Sequence, residues 1–335
     1  MKVLSVIIPA FNTELYIERC LDSLLYDKDI VDYLDIIVVD DGSSDSTSSV
    51  AGEYSKLYPG SISVIRKENG GHGSAVNKGL EKAVGKYVRI LDSDDWVNID
   101  DFPEYVKKLA DEESDIVVTN VRRQQLYDET EDDFVFCETR VEPQNIEKVA
   151  EKIMEDNFFF EFSMHSMTVK REKLLRVWGD GLLNKTFYVD QQFVAKVFMC
   201  ADNYTEYPLL VYMYFIGRPE QSMGAGFFKH IRDHERVLRW LLSTTEMDEV
   251  PEYYKKIVSR QITLMLKTHH KAYLEQPKLN SKERKELATF DEYLKSKYRS
   301  FYDAAEISGY LKLLANPLIS ARMARTFLYF RKGEK

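Results

Sequence analysis

The first 91 residues alternate between short apolar runs and segments in which apolar residues recur with helical spacing. A continuous apolar run is typical of a strand that is buried on both faces. Parallel strands joined through helices need crossover connections, which are right-handed. The runs occupy residues 3–8, 34–39, 61–66 and 87–91, and the helical segments occupy residues 13–25, 46–57 and 74–83. The alternation therefore predicts an α/β fold with a parallel sheet covered by helices.

Polar clusters follow three of these strands, at residues 9–12, 40–45 and 92–95. The carboxyl ends of parallel strands meet at one edge of the sheet, where ligands of open α/β sheets bind. Asp92, Asp94 and Asp95 lie within four residues. Carboxylates this close repel one another unless they are solvated or hold a hard divalent cation. We therefore expect a Mg²⁺ or Mn²⁺ site for a phosphate-bearing substrate, with a solvated acidic turn as the alternative.

Charge and cysteine content exclude some classes of protein. The chain has 46 Lys and Arg against 55 Asp and Glu, a net charge of −9, which argues against a general nucleic-acid binder. Its three cysteines, Cys20, Cys137 and Cys200, are odd in number and far apart, which suits free thiols in a reducing compartment. No run approaches the roughly 18 apolar residues that span a bilayer. A cytoplasmic protein is expected.

Three segments, at residues 7–12, 38–43 and 87–96, resemble the pattern of glycosyltransferase family 2. The resemblance continues more thinly at residues 115–120 and returns at residues 187–193, then fades beyond Gly217. It implies the GT-A fold, a Rossmann-like, mostly parallel sheet flanked by helices. It divides a catalytic domain, residues 1–225, into a donor-binding half at about 1–120 and an acceptor-side half at about 121–225.

The resemblance also implies a reaction. It predicts a metal-dependent, inverting transfer of a hexosyl or N-acetylhexosaminyl group from a nucleotide-diphosphate donor, a UDP-sugar, to a saccharide or lipid-linked glycan. Cell-surface polysaccharide or glycoconjugate synthesis is the expected setting. Two alternatives stay open: a sugar-phosphate nucleotidyltransferase, and a non-catalytic protein that binds a sugar nucleotide or acts as a scaffold.

Residue roles follow from the same resemblance. Asp94 and Asp92 are expected to hold Mn²⁺ or Mg²⁺, Asp40 to accept a hydrogen bond from the uracil imide, and Asp190 to act as the general base. Phe11 is expected to lie against the uracil ring. The predicted nucleotide-sugar-binding residues are Pro9, Ala10, Phe11, Asn12, Asp40, Gly73, Asn77, Asp92, Ser93 and Arg218.

Two positions depart from the family pattern. Val76 precedes Asn77 where many members have Arg, so a phosphate contact from that Arg is either lost or supplied by another residue such as Lys78. Val189 precedes Asp190 where Glu is usual. The second departure keeps the expected base and removes its acidic neighbour.

Residues 226–335 read as a helical extension without a catalytic motif, suited to acceptor binding, homodimerisation or membrane contact. His230 and His234 are predicted to lie together on a helix surface. In the tail, four apolar residues share one helical face: Ile319, Met323, Phe327 and Phe330. Residues 309–335 carry six basic residues and one acidic residue. Such a helix can lie on an anionic bilayer, at the inner face of the plasma membrane, or dock on the protein's own helices.

Overall fold

The computed structural model describes residues 2–125, 131–135, 137–152, 162–217, 224–276 and 278–305. The chain forms two compact units, Met1–Gln221 and Ser222–Lys335. The boundary predicted from the sequence lies four residues later, between residues 225 and 226. Arg218 and the expected tail helix lie outside the described residues.

The first unit contains one sheet and the helices that pack on it. Its strands are β1 (Leu4–Ala10), β2 (Leu34–Asp40), β3 (Ile62–Arg66), β4 (Tyr87–Ile90), β5 (Trp96–Val97), β6 (Ile116–Gln125), β7 (Glu131–Phe134), β8 (Val141–Asn145), β9 (Met167–Lys170) and β10 (Asn203–Ile216). Its helices are α1 (Ile17–Leu24), α2 (Thr47–Leu57), α3 (His72–Lys82), α4 (Phe102–Asp111), α5 (Glu147–Lys152), α6 (Arg171–Trp178) and α7 (Val189–Cys200), with a 3₁₀ helix at Lys28–Tyr33.

The sheet has the order β3-β2-β1-β4-β9-β6-β10-β5, with β7 beside β6 and β8 beside β10. Strands β1 to β4 are parallel, as predicted. Beyond β4 the sheet is mixed, because β9 runs antiparallel between β4 and β6, whereas β10 is parallel to β6. The fold is therefore the expected α/β class, with helices flanking a mixed sheet.

Strands β1 and β2 are almost wholly buried, as their continuous apolar sequences predict. Their register places Ala10 beside Asp40, and β4 joins β1 with Ile90 beside Ile7. The loops that follow these three strands therefore begin at one edge of the sheet. This register is what gathers the candidate site.

The second unit is helical, as expected. After a 3₁₀ helix at Gly224–His230 it contains α8 (Ile231–Thr244), α9 (Glu252–Leu274), α10 (Ser281–Lys297) and α11 (Arg299–Ala304). The surface location predicted for His234 is wrong: it is 3% exposed and lies against His269 of α9. The error arises because the apolar face of α8, formed by Ile231, Leu238 and Leu241, includes the position of His234. Among the described helices, none is both long enough and apolar enough to cross a bilayer.

Candidate active site

Asp40 ends β2 with its side chain fully buried. Its Oδ1 accepts a hydrogen bond from the Ser43 amide at 2.8 Å, and its Oδ2 lies 3.4 Å from Nε of Arg66. Among the described residues no group donates a hydrogen bond to Oδ2. Burying a carboxylate oxygen that accepts no hydrogen bond costs free energy, so Oδ2 of Asp40 is suited to accept a hydrogen bond from a ligand.

Asp41, the next residue, organises the loop after β3. Its carboxylate accepts hydrogen bonds from the amides of Gly70, at 3.0 Å, and Gly71, at 2.7 Å, and from Nζ of Lys67 at 2.5 Å. Gly71 has φ +82°, a backbone conformation that side-chain-bearing residues rarely adopt. The loop therefore enters α3 in a fixed geometry, with His72 as its first residue.

The loop at residues 92–95 divides its carboxylates by environment. Asp95 is 1% exposed; its two oxygens accept hydrogen bonds from the Tyr212 hydroxyl at 2.5 Å and the Phe215 amide at 2.8 Å. Burial and the charges of Asp94 and Asp92 raise the pKa of Asp95 well above its ordinary value, against the opposing effect of these two hydrogen bonds. Asp95 therefore anchors the loop to β10.

Asp92 is half-buried and lies beside His72, with 2.8 Å between its Oδ1 and the imidazole Nε2. Burial alone would lower the pKa of His72, but the charge and hydrogen bond of Asp92, together with the charges of Asp190 and Asp94, raise it. The Asp94 carbonyl accepts a hydrogen bond from Arg19 at 2.9 Å, and the guanidinium of Arg19 stacks 3.6 Å from the centre of the Trp96 ring. These contacts fix the loop from both sides.

A second histidine faces the same loop. His165 stacks on Tyr214, with ring centres 4.5 Å apart, and its carbonyl accepts a hydrogen bond from the buried Arg89. Asp92, Asp95 and His165 each contribute one possible ligand atom to a group within 4.8 Å. The oxygen and nitrogen donors of this group suit Mn²⁺ or Mg²⁺. Because both Asp95 oxygens already accept hydrogen bonds, Asp92 and His165 are its better candidate ligands, and Asp94 lies outside this group.

Asp190 lies in the first turn of α7, after Tyr188, whose φ of +64° turns the chain into the helix. Its Oδ2 accepts a hydrogen bond from the side-chain Nε2 of Gln191 at 2.9 Å. Burial and the charges of Asp95, Asp92, Asp190 and Asp94, in that order, raise the pKa of Tyr214. The charge of Asp190 also acts on both His72 and His165. The segment after residue 187 therefore reaches the same cluster as the acidic loop.

The remaining predicted binding residues differ in their surroundings. Phe11 is 49% exposed, and the side-chain oxygen of Asn12 accepts a hydrogen bond from the Ser44 amide at 2.9 Å. Both ends of the Asn77 amide group are bonded to the backbone of Leu182, at 2.8 and 2.9 Å. Pro9 and Ala10 are buried in β1, Gly73 is buried in α3, and Ser93 is buried in the acidic loop.

Sequence reasoning did not assign a role to Asp41 or His72. Asp41 stands beside the predicted uracil reader, so its position in the Asp-Asp-Gly-Ser turn was a usable signal. Val76 is buried, and Lys78 pairs with Glu81 at 2.6 Å on α3. His72, at the start of the same helix, lies beside the acidic loop.

Known proteins share both the sequence and the fold of this region. The sequence model for glycosyltransferase family 2 matches residues 5–131. EpsH of Bacillus subtilis strain 168 is 40% identical over 116 residues, which are 35% of this chain and 33% of EpsH. The minor teichoic acid biosynthesis protein GgaB of the same strain is 39% identical over 116 residues, 34% of this chain and 13% of GgaB. These matches span at most a third of each relative.

Two solved structures match most of the chain. S. aureus TarS 1–349, solved in complex with UDP-GlcNAc, has a TM-score of 0.69 at 20% identity, over 99% of this chain and 92% of that one. The mannosyltransferase PcManGT of Pyrobaculum calidifontis, solved with GDP-Man and Mn²⁺, has a TM-score of 0.52 at 19% identity, over 91% and 86%. At these identities the likeness concerns the fold. Residues 5–131 are thus similar in sequence to glycosyltransferase family 2, and the fold of the chain is GT-A.

Proposed function

We propose that this chain is an inverting glycosyltransferase that moves a sugar from a UDP-sugar to a hydroxyl group of a saccharide or lipid-linked glycan. The observation that carries the proposal is that two segments meet at the start of α3. His72 lies 2.8 Å from Asp92 in the loop after β4, and Gly73 packs closely against the Leu183 carbonyl, just before the helix α7 that carries Asp190. Asp40 lies at the same edge of the sheet. The proposed uracil-binding residue Asp40, the proposed leaving-group site at Asp92 and the proposed general base Asp190 thus belong to one region of the first unit.

Uracil recognition is assigned to Asp40. The imide N–H of uracil would supply the hydrogen bond that its buried Oδ2 lacks among the described residues. The neighbouring Arg66 side chain is 64% exposed, so it can move aside without leaving a packed core. Phe11, half-exposed in the adjoining loop, supplies an aromatic face for the base.

Asp92 and Asp94 are proposed to hold a divalent cation, with His165 as a further ligand. Hard carboxylate oxygens and an imidazole fit Mn²⁺ or Mg²⁺, and PcManGT of the same fold binds Mn²⁺ with its donor. When bound, such an ion stabilises the charge that grows on the departing diphosphate. Asp95 acts at a distance, because its bonds to Tyr212 and Phe215 hold the loop that carries the two ligands.

Asp190 is proposed to accept the proton of the acceptor hydroxyl as that oxygen attacks the anomeric carbon. The hydroxyl has a pKa far above 7, so direct displacement needs a base within hydrogen-bond reach. Asp190 is half-buried, and the side-chain Nε2 of Gln191 donates a hydrogen bond to one of its oxygens. A single displacement of this kind inverts the anomeric configuration.

The substrate class and setting rest on the relatives. TarS was solved with UDP-GlcNAc and GgaB is named for teichoic acid biosynthesis, which supports a hexosyl or N-acetylhexosaminyl donor and a role in cell-surface polysaccharide or glycoconjugate synthesis. The proposed location is the cytoplasm. Membrane contact through the tail, and homodimerisation, remain predictions.

The metal assignment is tested with Asp94→Ala. We expect UDP-sugar turnover to be abolished, together with the Mn²⁺-dependent rise in melting temperature that the donor gives wild-type protein. The reason is that, without the Asp94 carboxylate, the site would no longer hold the cation that neutralises the diphosphate. Metal-dependent turnover that survives in this variant would refute the assignment. Pyrophosphate release in place of UDP release would favour a nucleotidyltransferase, and donor binding without turnover a scaffold.

The base assignment is tested with Asp190→Asn. Donor affinity should stay within a few-fold of wild type while kcat falls by on the order of 10²- to 10⁴-fold, because the substitution removes the proton acceptor and keeps the shape. The matched control is Asp180→Asn, an exposed carboxylate just beyond α6, which should leave both values unchanged. An equal loss of donor affinity in Asp190→Asn would make Asp190 a binding residue.

A further inference from the structure

We propose that His72 is a positioning residue that holds the Asp92 carboxylate in the orientation that binds the metal–diphosphate group. This inference rests on the proposed function. The observation behind it is the contact of 2.8 Å between the imidazole Nε2 and Asp92 Oδ1. Both the neutral Nε2–H tautomer and the imidazolium donate through this nitrogen, so the role does not depend on the charge of His72.

The backbone of His72 is held by contacts on both sides of the preceding loop. The Asp41 carboxylate accepts hydrogen bonds from the amides of Gly70 and Gly71. From the opposite side, the amide of Lys185 donates to the Gly70 carbonyl at 2.6 Å. A Cβ added to Gly71 would lie 3.1 Å from the backbone of Lys185, which shows how closely the two loops approach. His72 therefore begins α3 from a fixed point.

The start of α3 lies between the acidic loop, residues 92–95, and the segment that leads to the proposed general base, Asp190. A Cβ on Gly73 would lie 2.5 Å from the Leu183 carbonyl, and Asn77 bonds both backbone groups of Leu182. Residues 182–185 run directly into α7, where Asp190 lies. His72 thus belongs to a segment that packs against residues 182–185, and its side chain contacts Asp92 in the acidic loop.

Asp92 needs such a partner because it stands among like charges. An unsupported carboxylate beside Asp94 and Asp95 turns away from them, whereas a hydrogen bond to an imidazole selects one orientation. Partners that orient metal-binding carboxylates are typically worth 10- to 100-fold in metal affinity. We expect that range for the loss of His72.

The test is Mn²⁺ affinity, measured by titration calorimetry in the presence of UDP, so that no chemistry occurs. His72→Ala should weaken Mn²⁺ binding 10- to 100-fold. His72→Gln, whose amide can donate from nearly the same place, should bind within a few-fold of wild type. The matched control is His230→Ala, which removes an imidazole 3.9 Å from Asp233 in the other unit and should change nothing. If His72→Ala unfolds, His72→Asn replaces it, since its amide is too short to reach Asp92.

Two outcomes overturn the inference: wild-type affinity in His72→Ala or His72→Asn, and a loss in His72→Gln as large as that in the short variants. Asp92→Asn separates this failure from failure of the proposed function. If wild type binds Mn²⁺ with UDP and Asp92→Asn weakens that binding while His72→Ala does not, only the role of His72 is wrong. If wild type does not bind Mn²⁺ with UDP, the proposed function fails and the role of His72 fails with it.

Discussion

Lowering the pH below 6.5 should destabilise the helical unit through its buried histidines. His234 of α8 is 3% exposed and His269 of α9 is fully buried, with 3.3 Å between their Nδ1 atoms. One Nδ1 must donate and the other accept, so protonating both rings would set two N–H groups against each other. Burial and the charge of His270 lower the pKa of His234 to about 3; burial, His234, His270 and Arg239 lower that of His269.

The sign follows from proton binding in the two states. In the unfolded chain both histidines titrate near pH 6.5, so below that pH the unfolded state binds more protons and the free energy of unfolding falls. For His234 alone, the loss between pH 7.5 and pH 5.5 is about 1 kcal/mol, and the lowered pKa of His269 acts in the same direction, so the two together lose roughly 2–3 kcal/mol. The stabilisation is fully present above about pH 7.5 and is lost progressively as the pH falls from 6.5 toward the lowered pKa values of the folded state, about 3 for His234.

The assay is urea unfolding at pH 7.5 and 5.5, followed by the fluorescence of Trp240 in α8. The other two tryptophans, Trp96 and Trp178, are replaced by Phe. His234→Phe should remove about half of the difference between the two pH values, whereas His230→Ala should keep all of it. Equal stability of the parent protein at both pH values, or an undiminished difference in His234→Phe, would refute the reasoning.

Two further substitutions test the site. Asp40→Ala should weaken UDP binding and erase any preference for UDP over GDP and CDP in a competition assay; if affinity and preference are both unchanged, Asp40 does not read uracil. Tyr212→Phe should lower the free energy of unfolding by about 1.5–3 kcal/mol, because it removes a hydrogen bond to the buried Asp95 carboxyl group. Tyr54→Phe, which removes a more exposed bond to Asp22, should cost less than about 1 kcal/mol, and equal losses in the two variants would contradict the anchoring role of Asp95.

The first four strands could be predicted because their signal is local. Each is a short apolar run followed by a polar loop and a helix, and crossover rules leave little choice in how such units pair. The other half of the sheet depends on contacts between distant segments: β9 enters between β4 and β6, and β10 runs beside β6. The sequence near Met167 and Asn203 contains no local pattern that indicates which strands pair, so these pairings could not be predicted.

The site shows the same division. Asp40, Asp92 and Asp94 could be predicted as site residues because they follow predicted strands, where ligands of α/β proteins bind. The proposed role of His72 depends on its contact with Asp92, in the loop after β4. A single His in a glycine-rich segment gives no sequence signal of such a contact. The burial of His234 was missed for a related reason, since a polar residue on an apolar helical face can be covered when the neighbouring helix offers a partner.

The three carboxylates of residues 92–95 differ in burial and in hydrogen-bond partners, although their positions in the sequence do not distinguish them. Asp95 receives two hydrogen bonds from β10, and burial together with the charges of Asp94 and Asp92 raises its pKa. Asp92 receives a hydrogen bond from His72, a side chain held by a different loop. The loop can therefore keep acidic ligands close together without a bound cation, because one carboxyl group is withdrawn into the protein and another is held by an imidazole. We therefore propose Asp92 and Asp94 as the pair whose negative charge a divalent cation would neutralise, with the cation's remaining charge facing the diphosphate.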